Sequence, residues 1–506
     1  MPKNAMTKPS RPLLFINKTG SSQQLSKSRP RESAAIFRHV QRNRRAAEGL
    51  RREPEWSKLS STFTSSDNPD DDTDEASEHR RLPSKSTTAM PSLYPTCNGF
   101  DPFHCTVVGP DAGNHSLLRF TFSALARTNF VAESFAPDPS LYTATRHQEI
   151  FEKRIARCIQ DRMLMYATLA YSASFLAWTT GRDHHNKPME CFLGRAMSAV
   201  RMHLAQGSYP IDDWLLLSLY SLAITELWNG SPGMWKQHPE RRKMSMDTAE
   251  ASLNACRMHL NALLHLVSKA GGWDHFSPYV LESVILVDKY LTISSAQPPL
   301  MSSSWDPGPL SIDLWNQHGL TGMPHPELGT KLLTAPLDID LREDLEDLVG
   351  YIHTAHVVWS NAYVDATLES WLFCRLQAIN HRLLSKAHSK ETRLPDRCIA
   401  LAALKFVAQC LVSKGPQISA TRLARTLRLE LKAARGQLRR DVYLWCLCMG
   451  ALLPDLSEFK PWYVSRLREE LAGRGGWDAL VSVLPMYLFL TERQGGALAK
   501  LYAWMD

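Results

Sequence analysis

The 506-residue chain is 44% hydrophobic and 9% aromatic, enough apolar mass for a large packed body. Its charge of +7 is unevenly placed: residues 1–60 hold 14 Lys/Arg against 4 Glu, residues 61–90 net −4, and the remainder nets only +1. Ten scattered cysteines form no CxxC pair, which argues against a structural zinc module or a thioredoxin-like site and for a reducing compartment.

In chain order, residues 1–56 read as a basic arm with one short helix. Pro, Ser, Lys and Arg surround an apolar island, Leu13 to Ile16, and no run resembles the apolar centre of a secretory signal. From Ser33 a helical pattern begins, with Ile36, Phe37 and Val40 on one face. Arg38, Arg42, Arg44, Arg45, Arg51 and Arg52 surround it, and Pro54 ends it. Guanidinium groups so clustered suit nuclear import or contact with phosphate oxygens. Residues 57–92, with Asp70 to Asp72 among many serines, read as a disordered linker.

Residues 93–506 read as an all-α body. Asp101-Pro102-Phe103 and a short extended stretch at 105–108 open it, and Asn114-His115-Ser116 caps a helix carrying Leu117 and Phe120. Apolar residues recur at helical spacing over 145–180. Further helices are expected near 189–206, 211–228, 245–269, 278–294, 338–362, 366–386, 394–413, 418–434, 437–452, 459–472 and 476–490. Asp212-Asp213 and Ser277-Pro278 supply starts, and Gly271-Gly272 a stop. Gly-Gly-Trp-Asp occurs at 271–274 and 475–478, and both copies read as a helix end, a Trp anchor and an Asp cap. No alternating run exceeds about five residues, so strands are not expected. The apolar runs at 214–225 and 479–490 fall short of the ~20 residues a bilayer requires.

Catalytic signatures are missing: no GxGxxG, Walker loop, HExxH or GxSxG occurs. Glu343, Asp344, Glu346 and Asp347 read as a solvated helix start. His353 and His356 share a helix face, but no carboxylate or cysteine in the sequence completes a metal set with them. They are expected in a core or interface, with no metal and no cofactor. Trp214, Trp228 and Trp235 read as core, and His184-His185 as a surface loop.

Asn43 to Arg51 resembles the Asn-x-x-Ala-Ala-x-x-(Ser/Cys)-Arg core of basic leucine-zipper regions. Leu50 replaces the small polar residue, however, and Pro54 stops the helix before a zipper could begin. A broader resemblance runs from about residue 13 to 490. Phe15, Asn17 and Thr19, the basic stretch through His39, Asp101-Pro102-Phe103, His259-Leu260 through Gly271-Gly272, and the Pro298-Pro299 turn resemble, in order, the fungal-specific transcription factor domain proteins. That resemblance implies a helical regulatory domain like that of zinc-cluster factors. The six-cysteine cluster those factors carry has no counterpart before Cys97. The expectation is therefore a nuclear, transcription-factor-like regulator and not an enzyme. It would meet proteins of the transcription machinery or itself, touch DNA non-specifically through the arm, and avoid membranes. A helical scaffold without a role at DNA is the alternative, and an enzyme with an unrecognised pocket the third reading.

Overall fold

The computed structural model describes residues 117, 120, 133–135, 147–180, 187–206, 210–231, 246–322, 324–360, 364–412, 416–454, 457–472 and 476–505, all within the unit spanning 94–506. The arm with its arginines, the linker, and Asp101-Pro102-Phe103 lie outside the described residues. Within them the fold is all-α: sixteen helices and no strand. No described helix is long and apolar enough to cross a membrane.

Six helices come first: α1 (Gln148–Gln160), α2 (Arg162–Thr180), α3 (Lys187–Ala205), α4 (Asp213–Gly230), α5 (Met246–Lys269) and α6 (Pro278–Ser295). The central one is α4, which packs against α2, α5 and α6. It is apolar all round, as a fully buried helix should be, and thirteen of its residues are buried. Asp212 caps it by accepting from the Leu215 N–H at 2.9 Å, and Ser277 accepts from Tyr279 at the start of α6. At the end of α5 the Gly272 N–H reaches back to the Val267 carbonyl, with Gly271 and Gly272 at φ 93° and 117°, the conformation such a stop requires. A Cβ at Gly230 would meet Leu253 of α5 at 2.7 Å, so glycine lets α4 and α5 approach.

Ten helices follow: α7 (Ile312–Gln317), α8 (Thr330–Leu333), α9 (Ile339–Ser360), α10 (Ala366–His388), α11 (Leu394–Cys410), α12 (Pro416–Ala433), α13 (Arg440–Ala451), α14 (Lys460–Leu471), α15 (Gly476–Val483) and α16 (Thr491–Ala503). Buried side chains form two separate apolar clusters, one from α1–α6 and one centred on α9–α16. They meet at α10, which places Phe373 in the N-terminal core and Leu372 and Leu376 in the C-terminal core. The six buried cysteines among those described are free, as apolar surroundings allow.

Four expectations need correction. The helical pattern over 145–180 breaks at Asp161, whose Oδ1 accepts from the Met163 and Leu164 N–H groups and restarts the helix as α2. The helix expected over 476–490 stops at Val483, where Pro485 enforces a 3-10 turn, and a separate helix, α16, follows. The second Gly-Gly-Trp-Asp follows α14 as expected, but its Asp is not a cap: Gly476 begins α15, and Trp477 and Asp478 lie inside it. The acidic start of α9 is only partly solvated. Asp344 is buried and meets Arg382 Nε at 2.5 Å, while Asp347 is shared by Arg375 and Arg382 at 2.6 Å each.

Candidate functional site

A cleft of about 840 Å³ opens where the two cores meet. One side comes from the starts of α1, α4 and α6, the other from the first half of α10 and the loop before α7. Its deepest polar group is Glu282, whose side chain is 1% exposed and whose Oε2 lies 2.8 Å from His147 Nε2. The His147 ring in turn stands edge-on to Tyr279, centroids 5.4 Å apart. Asp213 also lines the cleft and accepts the Ser277 N–H at 3.0 Å. Burial pushes its carboxyl above the usual range, and that hydrogen bond partly offsets the effect.

Trp305, Pro307, Pro309 and Trp371 supply apolar walls. The loop bearing three of them is pinned to α10: Trp371 Nε1 donates to the Gly308 carbonyl at 3.0 Å, and Arg375 Nη1 pairs with Asp306 at 2.9 Å. Arg382 also pairs with Asp306. The loop is therefore fixed to α10 by part-buried ion pairs and one indole hydrogen bond. Three carboxylates (Glu149, Asp213, Glu282) face the cleft against one ammonium, Lys153. An apolar wall over an acidic floor suits a small ligand with an apolar body and a hydrogen-bond-donating or cationic end.

A second surface lies on α12. Arg422, Arg425, Arg428 and Lys432, with Arg435 just beyond, recur at steps of three and four residues, so they share one side of the helix. Among the described residues none of the five is ion-paired, and the one acid of α12, Glu430, is taken by Arg397 at 2.9 Å. Burial, together with the charge of Arg425, pulls the Arg422 guanidinium below its ordinary value. Arg428 lies over the Phe459 ring and Lys432 over Trp462, so aromatic faces carry the side chains outward.

Of the residues singled out in the sequence, Arg38, Arg42, Arg44, Arg45, Arg51, Arg52, Phe15, Asn17, Thr19, His39, Asp101, Pro102 and Phe103 lie outside the described residues. Leu260 is buried in the N-terminal core, His259 is half-buried beside it on α5, and Gly271 and Gly272 end that helix. None of these four lines the cleft. Trp214 and Trp228 pack against the N-terminal core, as their spacing implied. His353 and His356 share a face of α9, and the fold brings His356 to His325 and Glu492, two residues that no sequence spacing connects to it. The cleft residues went unnoticed as well. Glu282 had a signal, as the one carboxylate in the apolar run from Tyr279 to Val287. No family model, no curated protein and no solved structure matches this chain.

Proposed function

We propose that this chain is a transcription-factor-like nuclear regulatory protein without a zinc-cluster module, and that its helical body takes a small effector in the cleft. The observation that carries the reading is the position of that cleft. It is walled by both cores, so an occupant touching Glu282 on one side and Trp371 on the other would bias how α6 and α10 pack. Its acid–histidine floor serves recognition in this reading, not turnover. The nuclear and transcriptional part rests on the basic arm and the family resemblance of the sequence. Chromatin occupancy of the intact, tagged protein in its own cell tests it. Discrete enrichment is expected, and a profile equal to an untagged control overturns it.

The basic stripe of α12 favours a second reading, in which the body itself meets a polyanion. Binding of the full chain to random duplex DNA should then weaken steeply with salt, and R425E/K432E should flatten that slope. A variant with the same slope removes α12 from the interface. No binding even at low salt leaves the helical scaffold as the better description.

A further inference from the structure

We propose that His325, His356 and Glu492 form a binding site for a divalent transition metal of the zinc class. The three come from different elements: His325 from the loop before α8, the half-buried His356 from the last turns of α9, and Glu492 from the first turn of α16. His325 Nε2 lies 3.3 Å from His356 Nδ1 and 3.6 Å from Glu492 Oε1. One ligand atom from each residue falls within 4.8 Å of the other two. Zinc holds imidazole nitrogen and carboxylate oxygen at about 2.0–2.2 Å, which puts neighbouring donors of a tetrahedral site about 3.3–3.5 Å apart. The two distances from His325 thus stand near the edge length of such a polyhedron before any ion is added, and the third pair lies within 4.8 Å.

The surroundings fit as well. Two imidazoles and one carboxylate select borderline metals over calcium or magnesium, which prefer all-oxygen sets. His325 is 20% exposed and Glu492 49%, so an ion has a path in, and a fourth position is left for water or an incoming ligand. His353, one turn before His356, brings its ring within 6.3 Å of His325, and its buried Nδ1 has no hydrogen-bond partner. Phe135 closes the apolar side, its ring 6.2 Å from that of His356, and Arg493 lies over the Phe135 ring. The bound ion would tie the last described helix, α16, to α9 and to the loop before α8, stapling the end of the C-terminal core.

The experiment uses the full chain, stripped with a chelator and titrated with Co²⁺ and then Zn²⁺. One ion per chain, a visible cobalt absorption of tetrahedral strength and slower amide exchange over residues 491–503 on zinc loading are expected. His356→Ala should abolish the cobalt band. Glu492→Gln, a substitution at a half-exposed position that folds readily, should weaken zinc binding at least about tenfold. Absence of stoichiometric binding in the wild-type chain overturns the proposal, and so does binding that Glu492→Gln and His356→Ala both leave unchanged.

Discussion

Each core of the body buries a cation without a carboxylate, and the two do so differently. In the N-terminal core Arg154, 2% exposed, reaches Ser221 Oγ at 3.0 Å, Tyr279 OH at 3.2 Å and Thr168 Oγ1 at 3.5 Å. In the C-terminal core Lys405, 0% exposed, has one bond among the described residues, to the Leu452 carbonyl at 2.9 Å. The cysteines beside it offer no thiolate: burial pushes Cys410 well up and Cys448 to about 12. Guanidinium cannot shed its proton, so its charge must be shared among hydroxyls. An ammonium can, and burial pulls Lys405 down to about 7. The first core holds a permanent charge, the second one that neutral pH can remove.

Both polar chains also lead somewhere. Tyr279, which accepts from Arg154, packs its ring against His147 at the cleft floor. The Leu452 carbonyl that holds Lys405 also accepts from Gln409, and Gln494 of α16 donates to Gln409 at 3.3 Å, two residues from Glu492. The cleft and the proposed metal site are thus each anchored to the polar heart of one core.

The sharpest way to break this contrast is Arg154→Ala. It removes a buried side chain and takes a donor from each of three buried hydroxyls, so a loss of about 3–5 kcal/mol in urea unfolding is expected. Arg154→Lys should not restore it, because an ammonium cannot span the same fork of acceptors. A loss under about 1 kcal/mol for the alanine variant would mean the core closes without the cation.

Lys405→Met should act in the opposite direction. Between pH 7 and the ordinary lysine value of 10.5, the unfolded chain holds more protons at this position than the folded chain. Wild-type stability therefore gains from this group as pH rises through that window, and the full penalty stands below it. Methionine of similar length removes the penalty. The variant should be more stable by roughly 1–4 kcal/mol at pH 6, with the difference shrinking toward pH 10. Unfolding free energies of both proteins at four pH values check this. A difference independent of pH would mean that Lys405 does not titrate in the window.

How much of this the sequence disclosed depends on the range of the interaction. α4 was plain, since Asp212 and a long apolar run fix its start and its burial locally. Arg154 went unread although its position carried a signal: it falls four residues after Ile150 and four before Cys158, at the centre of the stripe that α1 turns inward. Lys405 sits in a run apolar on every side, which forces it inside whatever the helix rotation. By contrast α16 was hidden by Gly495-Gly496, whose poor helix propensity breaks the pattern. His325 and Glu492 were invisible as partners of His356, because the contacts joining them span 31 residues and more. Local patterning reports which face is buried; only the packed chain reports what that face meets.

The smallest expected effect asks whether the two cores melt apart at all. Asp212 caps α4 inside the N-terminal core, and Asp365 caps the shared helix α10, each by accepting a backbone N–H at 2.9 Å. Alanine at either position should cost about 1 kcal/mol. Because α10 seats side chains in both cores and packs on α6, the caps should shift one common unfolding transition by similar amounts. Amide exchange in α4, beside the Trp178–Trp228 pair with centroids 4.3 Å apart, reports the first core, and exchange in α13, where Trp445 stacks on Tyr487, the second. Should Asp212→Ala move only the first signal, the cores unfold separately. The cleft would then be a joint between two independent bodies, and an effector bound there would act by clamping them together.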